Sequence, residues 1–529
     1  MAKRYQVVIV GGGPVGIGLA VELGLRGISC VVVERRVGLH NIPKGQNLSP
    51  RTLEHFYFWG VVDELRATRI MPKEVPASGV TGYKSLTSEH WFALPGREIT
   101  NRYYFQDNDR LPQYEMERVL RQKAASLPSV ETRFGCSARS VEQDADGVRI
   151  GIAREDGSGV EVLEADYAVG CDGGHSLVRE AIGIERGGTD YDQIMVLAVL
   201  RSKELHEGFG KRFPVRSTYR VLAPELKGYW QFFGRIDVGE GWFFHAPVPA
   251  GIDRTTFDVH ALVQQVVGFD FKAEYDHVGY WDMRVAVAER YQVGRVFIAG
   301  DAAHSHPPYG GYGVNNGLED ATNLGWKLAA MLQGWGSDAL LGSYSAERRA
   351  VFKETAEDFI AARIAHEGDI LARYSPDKDL EAFKQAWASL TEDGANRIGN
   401  YAPHYEGSPV VLGPPGGACS AHGTHTFKAR AGHHLPPQPL SSGRNAFEEL
   451  GPGFTLLALG ADAAVVGAFE RAAAELRVPF KAVRDTFDGG REAYEARLVL
   501  VRPDQYIVWA GDVPPVAPAV IMAKAIGRG

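Results

Sequence analysis

The chain has 529 residues, a formal net charge of −8 at pH 7 and four cysteines. Its length exceeds what one hydrophobic core usually supports, so we expect more than one domain. Apolar residues make up 45% of the chain and charged residues 23%, as in ordinary globular proteins. The negative charge argues against a general nucleic-acid-binding protein. No run of apolar residues is long enough to predict a membrane-spanning helix. The cysteines are scattered and form no C-x-x-C pair, which favours a reduced, cytoplasmic protein.

The N-terminal segment carries the most specific single motif. Residues 5–10 form a β-branched run that predicts a buried strand, and a turn with G-x-G-x-x-G spacing follows at Gly11, Gly13 and Gly16. The first glycine permits the tight turn, the second lets the backbone approach a pyrophosphate, and the third lets the next helix pack on the strand. A second strand ends at Glu34, whose carboxylate can accept hydrogen bonds from ribose hydroxyls. The segment predicts a dinucleotide site at a helix N-terminus.

Two further strands are predicted to end in acidic, glycine-rich turns. One apolar strand leads into Asp172 within GCDGGHSLVR, and another leads into Asp301 within GDAAH. The segment PPYGGYGVNNG then places Gly311 and Gly313 where the backbone can approach a ligand, and a helix is predicted to begin near Asn315. The three turns together predict one site for one cofactor.

Residues 190–285 have a different pattern, in which aromatic residues alternate with others and helical periodicity is scarce. This pattern predicts an antiparallel sheet inserted between two parts of the nucleotide-binding domain, with one face on an apolar pocket. Aromatic residues within 75–112 are expected at the edge of the same pocket. The polar residues expected on or near this sheet are Arg216, Tyr219, Arg220 and His245.

The C-terminal part combines helices, an irregular segment and a small domain. Residues 343–395 have helical periodicity, and proline, glycine and histidine in 400–445 indicate a linker or wrapped loop. Strand and helix patterns between 454 and 509 predict a small α/β domain. We expect no metal site, because ligand spacing and an acidic partner are missing around His422, His425, His433 and His434.

The three motifs together resemble those of the single-component FAD-dependent aromatic hydroxylases, the family of p-hydroxybenzoate hydroxylase and phenol 2-monooxygenase. GGGPVG with Glu34 is similar to the family's adenosine motif. GCDGGHSLVR is similar to its middle motif, whose aspartate is associated with FAD and NAD(P)H. GDAAHSHPPYGGYGVNNGLEDATNLGWKLA is similar to its ribityl and isoalloxazine motif. The tail resembles the thioredoxin-like domain of the phenol and polyketide hydroxylases, but it has no redox C-x-x-C pair.

The resemblance implies an α/β fold with three domains. A Rossmann-like FAD-binding domain would comprise 1–185 and 286–395, with an inserted β-sheet substrate domain at 186–285 and parts of 75–112 at its pocket. A linker or wrapped loop at 396–445 would lead to the thioredoxin-like domain at 446–529. The motifs and the resemblance together give the following candidates for FAD binding: Gly11, Gly13, Pro14, Val15, Gly16, Glu34, Arg35, Lys44, Gln46, Gln113, Asp172, Gly300, Asp301, Pro308, Gly311, Gly313, Val314 and Asn315.

The activity that the resemblance implies is hydroxylation of a phenolic or related aromatic substrate, polyketides included. NADPH or NADH would reduce the flavin, which would react with O₂ to give a C4a-hydroperoxide that transfers one oxygen. A base within hydrogen-bond reach would help to deprotonate a phenol, and histidine, whose unperturbed pKa is near 6.5, supplies the candidate bases. The candidate catalytic residues are His245, His306, Tyr219 and Arg220.

Two departures from the family pattern and several alternatives remain at this point. Lys44 stands where many relatives have an arginine beside the flavin, and His306 adds a titratable group near the expected flavin ring. A flavin-dependent reductase or halogenase of the same fold is possible, although the Trp-x-Trp signature of halogenases is absent. A non-catalytic FAD-binding protein that sequesters an aromatic ligand is the alternative from another class. A homodimer also stays open.

Overall fold

The structure, a computed structural model, describes residues 4–249 and 251–529, with the side chains of 189–193 outside that description. Its strands are β1 (Arg4–Val10), β2 (Cys30–Glu34), β3 (Asn47–Leu48), β4 (Gly79–Tyr83), β5 (Trp91–Leu94), β6 (Asp109–Arg110), β7 (Val130–Phe134), β8 (Cys136–Gln143), β9 (Val148–Arg154), β10 (Glu161–Gly170), β11 (Arg186–Arg201), β12 (Thr218–Leu222), β13 (Gln231–Arg235), β14 (Gly241–Val248), β15 (Glu274–Ala288), β16 (Gln292–Val293), β17 (Val296–Ile298), β18 (His304–Ser305), β19 (Tyr401–Tyr405), β20 (Cys419–His422), β21 (Phe454–Leu459), β22 (Phe480–Asp485), β23 (Leu498–Val501) and β24 (Ile507–Gly511).

The helices are α1 (Pro14–Leu25), α2 (Pro50–Phe58), α3 (Val62–Ala67), α4 (Gln113–Ser126), α5 (Leu177–Ala181), α6 (Lys203–Arg212), α7 (Val259–Val267), α8 (Gly313–Leu332), α9 (Asp338–Glu354), α10 (Ala362–Arg373), α11 (Leu380–Asn400), α12 (Ala463–Glu475) and α13 (Pro518–Ala525). A π-helical stretch, Thr355–Ala361, joins α9 to α10. No helix in the described part of the chain is both long enough and apolar enough to span a bilayer.

The first sheet brings the three predicted turns to one edge. Its main strand order is β16-β17-β10-β1-β2-β7, and β1, β2, β7, β10 and β17 run parallel to one another. The turns after β1, β10 and β17 are those that contain Gly11, Asp172 and Asp301. Because the carboxyl ends of parallel strands meet at one edge, these turns lie together.

Helices α1 and α8 pack closely against each other beside this sheet, and glycine makes the approach possible. A Cβ atom added to Gly325 would lie 2.5 Å from Cγ of Glu22, and one added to Gly18 would lie 3.1 Å from Cδ2 of Leu318. Both helices begin at the edge where the turns meet, so this packing fixes the two helix N-termini relative to each other.

The second sheet has the order β18-β15-β11-β14-β13-β12-β4-β5, and all of its pairs are antiparallel except β12 with β4. Alternate residues point to opposite faces. One face carries Tyr219 and Phe244, which pack with Phe209 of α6 and Val263 of α7. The other face carries a cross-strand row in which Arg220 lies opposite Phe232, Phe232 opposite His245, and His245 opposite Leu197.

The tail forms a third sheet with the order β22-β21-β23-β24. Its core is continuous with the first domain, because Trp326 of α8 and Trp335 pack with Phe454 of β21. The preceding irregular segment contains the two-stranded pair β19-β20. It is not a free linker, since Tyr405 is fully buried against Tyr506 with ring centroids 4.3 Å apart.

Candidate functional site

A cavity of about 1050 Å³ opens at the edge where the three turns meet. It runs from the ends of β1 and β2 to the uncovered face of the second sheet at His245 and Trp281. Most of the predicted cofactor-binding residues line it, namely Gly11, Gly13, Pro14, Val15, Glu34, Arg35, Lys44, Gln46, Gln113, Asp172, Asp301, Pro308, Gly311, Gly313 and Val314.

The glycines of the first turn have three different environments. Gly11 has φ of +107°, and a Cβ atom there would lie 2.2 Å from the backbone oxygen of Cys171, so only glycine fits. A Cβ atom on Gly16 would lie 1.9 Å from the oxygen of Gly11, which shows how closely the helix approaches the strand. A Cβ atom on Gly13 would have no neighbour within 4 Å. The backbone at Gly13 therefore faces open space at the N-terminus of α1.

The acidic side chains at the ends of the strands also hold the turns in shape. The Glu34 carboxylate accepts hydrogen bonds from the backbone N–H of Gly12, at 2.7 Å, and of Arg36, at 2.8 Å. The Asp172 carboxylate accepts from the Ser176 hydroxyl at 2.5 Å and from the N–H of Val178 at 3.1 Å, in the first turn of α5. Burial raises the pKa of Asp172. Each carboxylate oxygen keeps further acceptor capacity toward the cavity.

Three predicted cofactor-binding residues do not line the large cavity. Gly16 is at the contact of strand and helix described above. Gly300, with φ of +59°, lies against Val15, whose Cγ2 would be 2.9 Å from an added Cβ. The Asn315 carboxamide accepts from the N–H of Ser49 at 2.8 Å and donates to the oxygen of Gly311 at 2.6 Å. These three residues shape the turns from behind, and their contact with FAD stays a prediction.

A second, smaller cavity of about 210 Å³ adjoins the large one. The two share several lining residues, among them Lys44, Gln46, His245, Pro308 and Gly311. Gln46 is 6% exposed and its Nε2 has no hydrogen-bond partner in the described part of the protein. A buried amide donor normally has a partner, so Gln46 is available to a group held between the two cavities.

The two candidate histidines lie at the large cavity, and burial lowers the pKa of each below the unperturbed histidine value. Burial lowers the pKa of His245 to about 3 and that of His306 to about 4. His306 donates from Nδ1 to the oxygen of Pro307 at 2.5 Å, and its ring stacks on Phe352. Both values lie below the unperturbed 6.5, and imidazoles with such weakly held protons are poor general bases for a phenol with pKa near 10.

Tyr219 and Arg220 are neighbours in sequence and lie on opposite faces of the second sheet. Tyr219 is fully buried, stacks on Phe209 at a centroid distance of 4.6 Å and lines neither cavity, so its position does not support the predicted catalytic role. Arg220 lines the smaller cavity on the other face. Arg216 lines neither of the two cavities. Successive side chains of a β-strand point to opposite faces of the sheet, so Tyr219 lies in the core and Arg220 lies at the cavity.

Sequence reasoning missed four other arginines around the smaller cavity. Arg97 precedes β6, Arg110 ends that strand, Arg363 is in α10 and Arg397 is in α11. They are widely separated along the chain and belong to no motif. The one local hint was at Arg110, which lies two residues before Pro112, the residue that precedes α4.

A group of possible metal ligands lies outside the two cavities, and it includes an acidic partner of His433, Glu406, which the sequence analysis did not find. His404, Glu406 and His433 each bring one ligand atom to within 4.8 Å of the others. The carboxylate of Glu406 is 2.7 Å from Nε2 of His433, and the two imidazole rings stack at 4.4 Å. A carboxylate–histidine hydrogen bond and ring stacking account for this arrangement without an ion.

The large cavity fits a flavin adenine dinucleotide. Open space at Gly13, a helix N-terminus beside it and two acidic strand ends suit a pyrophosphate and a ribose. The unpartnered Nε2 of Gln46 and the glycines at Gly311 and Gly313 suit the edge of a flat ring. Fold and site together define a dinucleotide-binding oxidoreductase whose cofactor cavity opens onto a β-sheet pocket.

Comparisons with known proteins identify the family. Residues 4–358 match the FAD binding domain family model, and residues 428–527 match the C-terminal domain of aromatic-ring hydroxylases. The chain therefore belongs to the FAD-dependent aromatic-ring hydroxylases. The 12-dehydrotetracycline 5-monooxygenase/anhydrotetracycline 6-monooxygenase of Streptomyces rimosus is 32% identical over 96% of this chain and 95% of its own length.

Solved structures show the same architecture. RebC soaked with chromopyrrolic acid and holding 7-carboxy-K252c has a TM-score of 0.85 at 28% identity, over the whole of both chains. A ternary complex of aklavinone-11 hydroxylase with FAD and aklavinone has a TM-score of 0.81 at 27% identity, again over both whole chains. The predicted family, α/β fold class, FAD cofactor and monooxygenase function are thereby confirmed. The thioredoxin-like assignment of the tail and the domain boundaries stay predictions.

Proposed function

We propose that the protein hydroxylates an aromatic ring held in the smaller cavity, using FAD in the large cavity, NAD(P)H and O₂. The observation that carries this proposal is the shared wall between the two cavities at Lys44, Gln46, His245, Pro308 and Gly311. A ring on the second sheet would meet the flavin edge across this wall. When bound, FAD would accept the hydride and activate O₂, and the side chains would bind and position the reactants.

The residues of the chain bind the ring, orient it and exclude water. The walls of the smaller cavity include Trp230, Phe232 and Phe243, which offer faces and edges for an aromatic ligand. Excluding water protects a reactive oxygen species from release as hydrogen peroxide. Since the histidines are poor bases, we infer that nearby cations favour the ionised form of a phenol in this cavity.

We propose that the nicotinamide of NAD(P)H approaches the flavin through a third cavity of about 370 Å³. It shares Asp301, His306 and Gly313 with the large cavity, and it is lined by Arg186 and Arg254. Guanidinium groups suit the pyrophosphate of a dinucleotide. Whether the reductant is NADPH or NADH stays open, as does a homodimer. The cytoplasmic location stays a prediction.

The test is NADPH oxidation by the purified holoprotein across a library of phenols and polycyclic aromatics, with product mass and hydrogen peroxide measured together. We expect at least one compound to raise oxidation about tenfold, which corresponds to about 1.4 kcal/mol on the barrier, with a product heavier by one oxygen. The methyl ether of that compound cannot ionise, so it should stimulate less and release more hydrogen peroxide.

The same assay separates hydroxylation from the alternatives. A non-catalytic FAD protein that sequesters an aromatic ligand would bind the compound without stimulated NADPH oxidation. A reductase would consume NADPH with no oxygen in the product. If every bound compound behaves in one of these two ways, the hydroxylase proposal is wrong.

A further inference from the structure

The turn at residues 308–313, between β18 and α8, forms part of the wall between the large cavity and the smaller one. Pro308 and Gly311 line both cavities. Gly310 and Gly311 have φ of +77° and +66°, a backbone region that other residues rarely adopt. Two adjacent glycines leave the path of the turn weakly determined by its own sequence. Contacts from other parts of the chain must therefore hold it in place.

Two of these contacts lie on either side of the glycine pair. Before it, Tyr309 is 2% exposed and stacks on Trp230 at a centroid distance of 4.3 Å, and its hydroxyl accepts from the backbone N–H of Trp230 at 2.9 Å. After it, the Asn315 carboxamide donates to the oxygen of Gly311 at 2.6 Å. The oxygen of Gly310 lies between these two anchors.

Arg97 supplies the contact in the middle of the turn. It begins a 3-10 helix, Arg97–Tyr103, that is distant from the turn in sequence. Its Nη2 donates to the oxygen of Gly310 at 2.7 Å and lies 3.5 Å from the oxygen of Gly311. Its guanidinium lies 4.9 Å from the centroid of the Tyr312 ring. One cationic side chain therefore holds both carbonyl oxygens of the glycine pair and the ring that follows them.

The turn leads directly into the N-terminus of α8. This helix begins at Gly313, and among the described residues no side chain caps its first turn. The backbone N–H groups there keep donor capacity, and Gly313 and Val314 line the large cavity. A helix N-terminus attracts negative charge. The position of these donors depends on the turn that Arg97 holds.

Arg97 also brings a positive charge to this turn. Its partners there are backbone carbonyl oxygens and a tyrosine ring, none of which carries a formal charge that would offset it. Reduction adds negative charge to a flavin, and a nearby positive charge favours the more negative of two states. Arg97 does not line the large cavity, so any effect on a flavin there is exerted through the turn and through its field.

We propose that Arg97 is a positioning residue for the flavin, which holds the 308–313 turn so that the N–H donors at the start of α8 face the ring, and whose charge favours the reduced state. The inference rests on FAD in the large cavity. It rests on the proposed function only where it concerns the smaller cavity.

Arg97 has a second position that bears on the smaller cavity. With Tyr312 and Ile398 it lines both that cavity and a fourth cavity of about 70 Å³. Polar side chains, among them Asn316 and Glu319, line the fourth cavity, and its volume is enough for a few water molecules. Removing the guanidinium would connect this polar space to the smaller cavity. Water that enters during hydroxylation favours release of hydrogen peroxide.

The first test needs neither substrate nor NADPH. FAD is titrated into the FAD-free protein, and the midpoint reduction potential of the loaded protein is measured. Arg97→Met removes both the donor and the charge, so we expect FAD to bind about tenfold more weakly and the potential to become more negative. Arg97→Lys keeps the charge but loses the planar donor geometry, so both values should lie between those of Arg97→Met and the unmodified protein.

Arg102→Met is the matched control. Arg102 lies in the same 3-10 helix, and its guanidinium also lies over a tyrosine ring, that of Tyr103, at 4.6 Å. It lines none of the large, smaller and fourth cavities. FAD affinity and potential should therefore stay unchanged. Thermal melts of the FAD-free variants complete the comparison, because a purely structural role would lower the melting temperature without moving the potential.

The inference is overturned if a folded Arg97→Met variant keeps the FAD affinity and potential of the unmodified protein, or if Arg102→Met changes both equally. Where Arg97→Met does not fold, Arg97→Gln takes its place, because it is neutral and can still donate. The potential of Arg97→Lys should then be closer to that of the unmodified protein than the potential of Arg97→Gln, and equal potentials would overturn the inference.

Failure of the proposed function gives a different result. Affinity and potential would shift as expected in the Arg97 variants, yet no aromatic compound would gain oxygen in the unmodified protein. If the unmodified protein hydroxylates, Arg97→Met should form less product and more hydrogen peroxide per NADPH consumed. An unchanged ratio of product to NADPH in that variant would overturn the part of the inference that concerns the fourth cavity.

Discussion

The guanidinium of Arg502 lies 2.7 Å from the Glu347 carboxylate, and both side chains are fully buried. Glu347 is in α9 of the first domain, and Arg502 follows β23 of the tail. The Glu347 carboxylate also accepts from Lys327 Nζ at 2.7 Å, while Asp504 pairs with Arg502 at 2.6 Å. The favourable charges of Arg502 and Lys327 hold the pKa of Glu347 well below its usual range. The tail is therefore joined to the first domain by a buried ionic network as well as by apolar packing.

Breaking this network should destabilise the protein strongly. Arg502→Met leaves the buried carboxylates of Glu347 and Asp504 without a main partner, and removing one member of such a pair costs about 3–5 kcal/mol. We expect a large fall in the thermal unfolding midpoint. The control is Arg484→Met, whose pair with Glu470 has the same 2.7 Å separation but is exposed. Equal shifts in the two variants would mean that burial of the network has no energetic importance.

Two glycines of the first turn should respond differently to the same added methyl group. Gly13→Ala adds a Cβ atom into open space, so the FAD-free protein should keep its stability while losing FAD affinity by about tenfold or more. Gly11→Ala meets the oxygen of Cys171 at 2.2 Å with φ of +107°, so it should lower the stability of the FAD-free protein. Thermal melts and FAD titration distinguish these effects. Unchanged FAD affinity in Gly13→Ala would contradict the placement of the pyrophosphate.

Acid should destabilise the fold through His245. Its pKa is lowered by burial to about 3, against about 6.5 in an unfolded chain. Between these values only the unfolded state binds the proton, so this contribution to stability is complete above pH 6.5 and is lost as the pH falls toward 3.

Denaturant unfolding at several pH values checks this assignment. His245→Leu removes the titrating group, so the slope of unfolding free energy against pH in that window should fall by up to about 1.4 kcal/mol per pH unit. Above neutral pH the variant and the unmodified protein should have parallel profiles. Identical slopes in acid would show that His245 is not buried in its neutral form.

The thiol of Cys419 should have no part in turnover. Burial raises its pKa to about 12, so the thiolate that attacks or coordinates is scarce at neutral pH. Cys419→Ser should therefore leave the rate of substrate-stimulated NADPH oxidation unchanged. A loss of rate in a variant that melts normally and keeps its FAD would reveal a chemical role for this thiol.

Local sequence pointed to most of the candidate cofactor-binding residues that line the large cavity, because they lie in short segments. A strand, a glycine turn and a helix are contiguous in the chain, so the spacing of Gly11, Gly13 and Gly16 carries the geometry directly. Parallel strand order then brings Asp172 and Asp301 to the same edge. The roles of individual residues at this site stay predictions until variants are measured.

The smaller cavity was much harder to foresee from sequence. Its cations come from segments as far apart as Arg97 and Arg397, and only tertiary packing brings them together. Strand register decided that Arg220 faces the cavity and Tyr219 the core, and a pattern of aromatics does not fix register. The pKa values of His245 and His306 depend on burial by distant elements, which the local sequence does not encode.

Helix α8 extends over twenty residues, or about 30 Å, from Gly313 to Leu332. Its first turn borders the large cavity, whereas near its other end Trp326 packs on Phe454 of the tail and Lys327 donates to Glu347, the partner of Arg502. A helix resists compression along its axis, so the position of its first turn is set in part by what anchors its last turns. The tail therefore helps to fix the position of the first turn of α8 from the other end of the helix. Replacing the tail with an unrelated domain would make that turn, at the large cavity, less rigid.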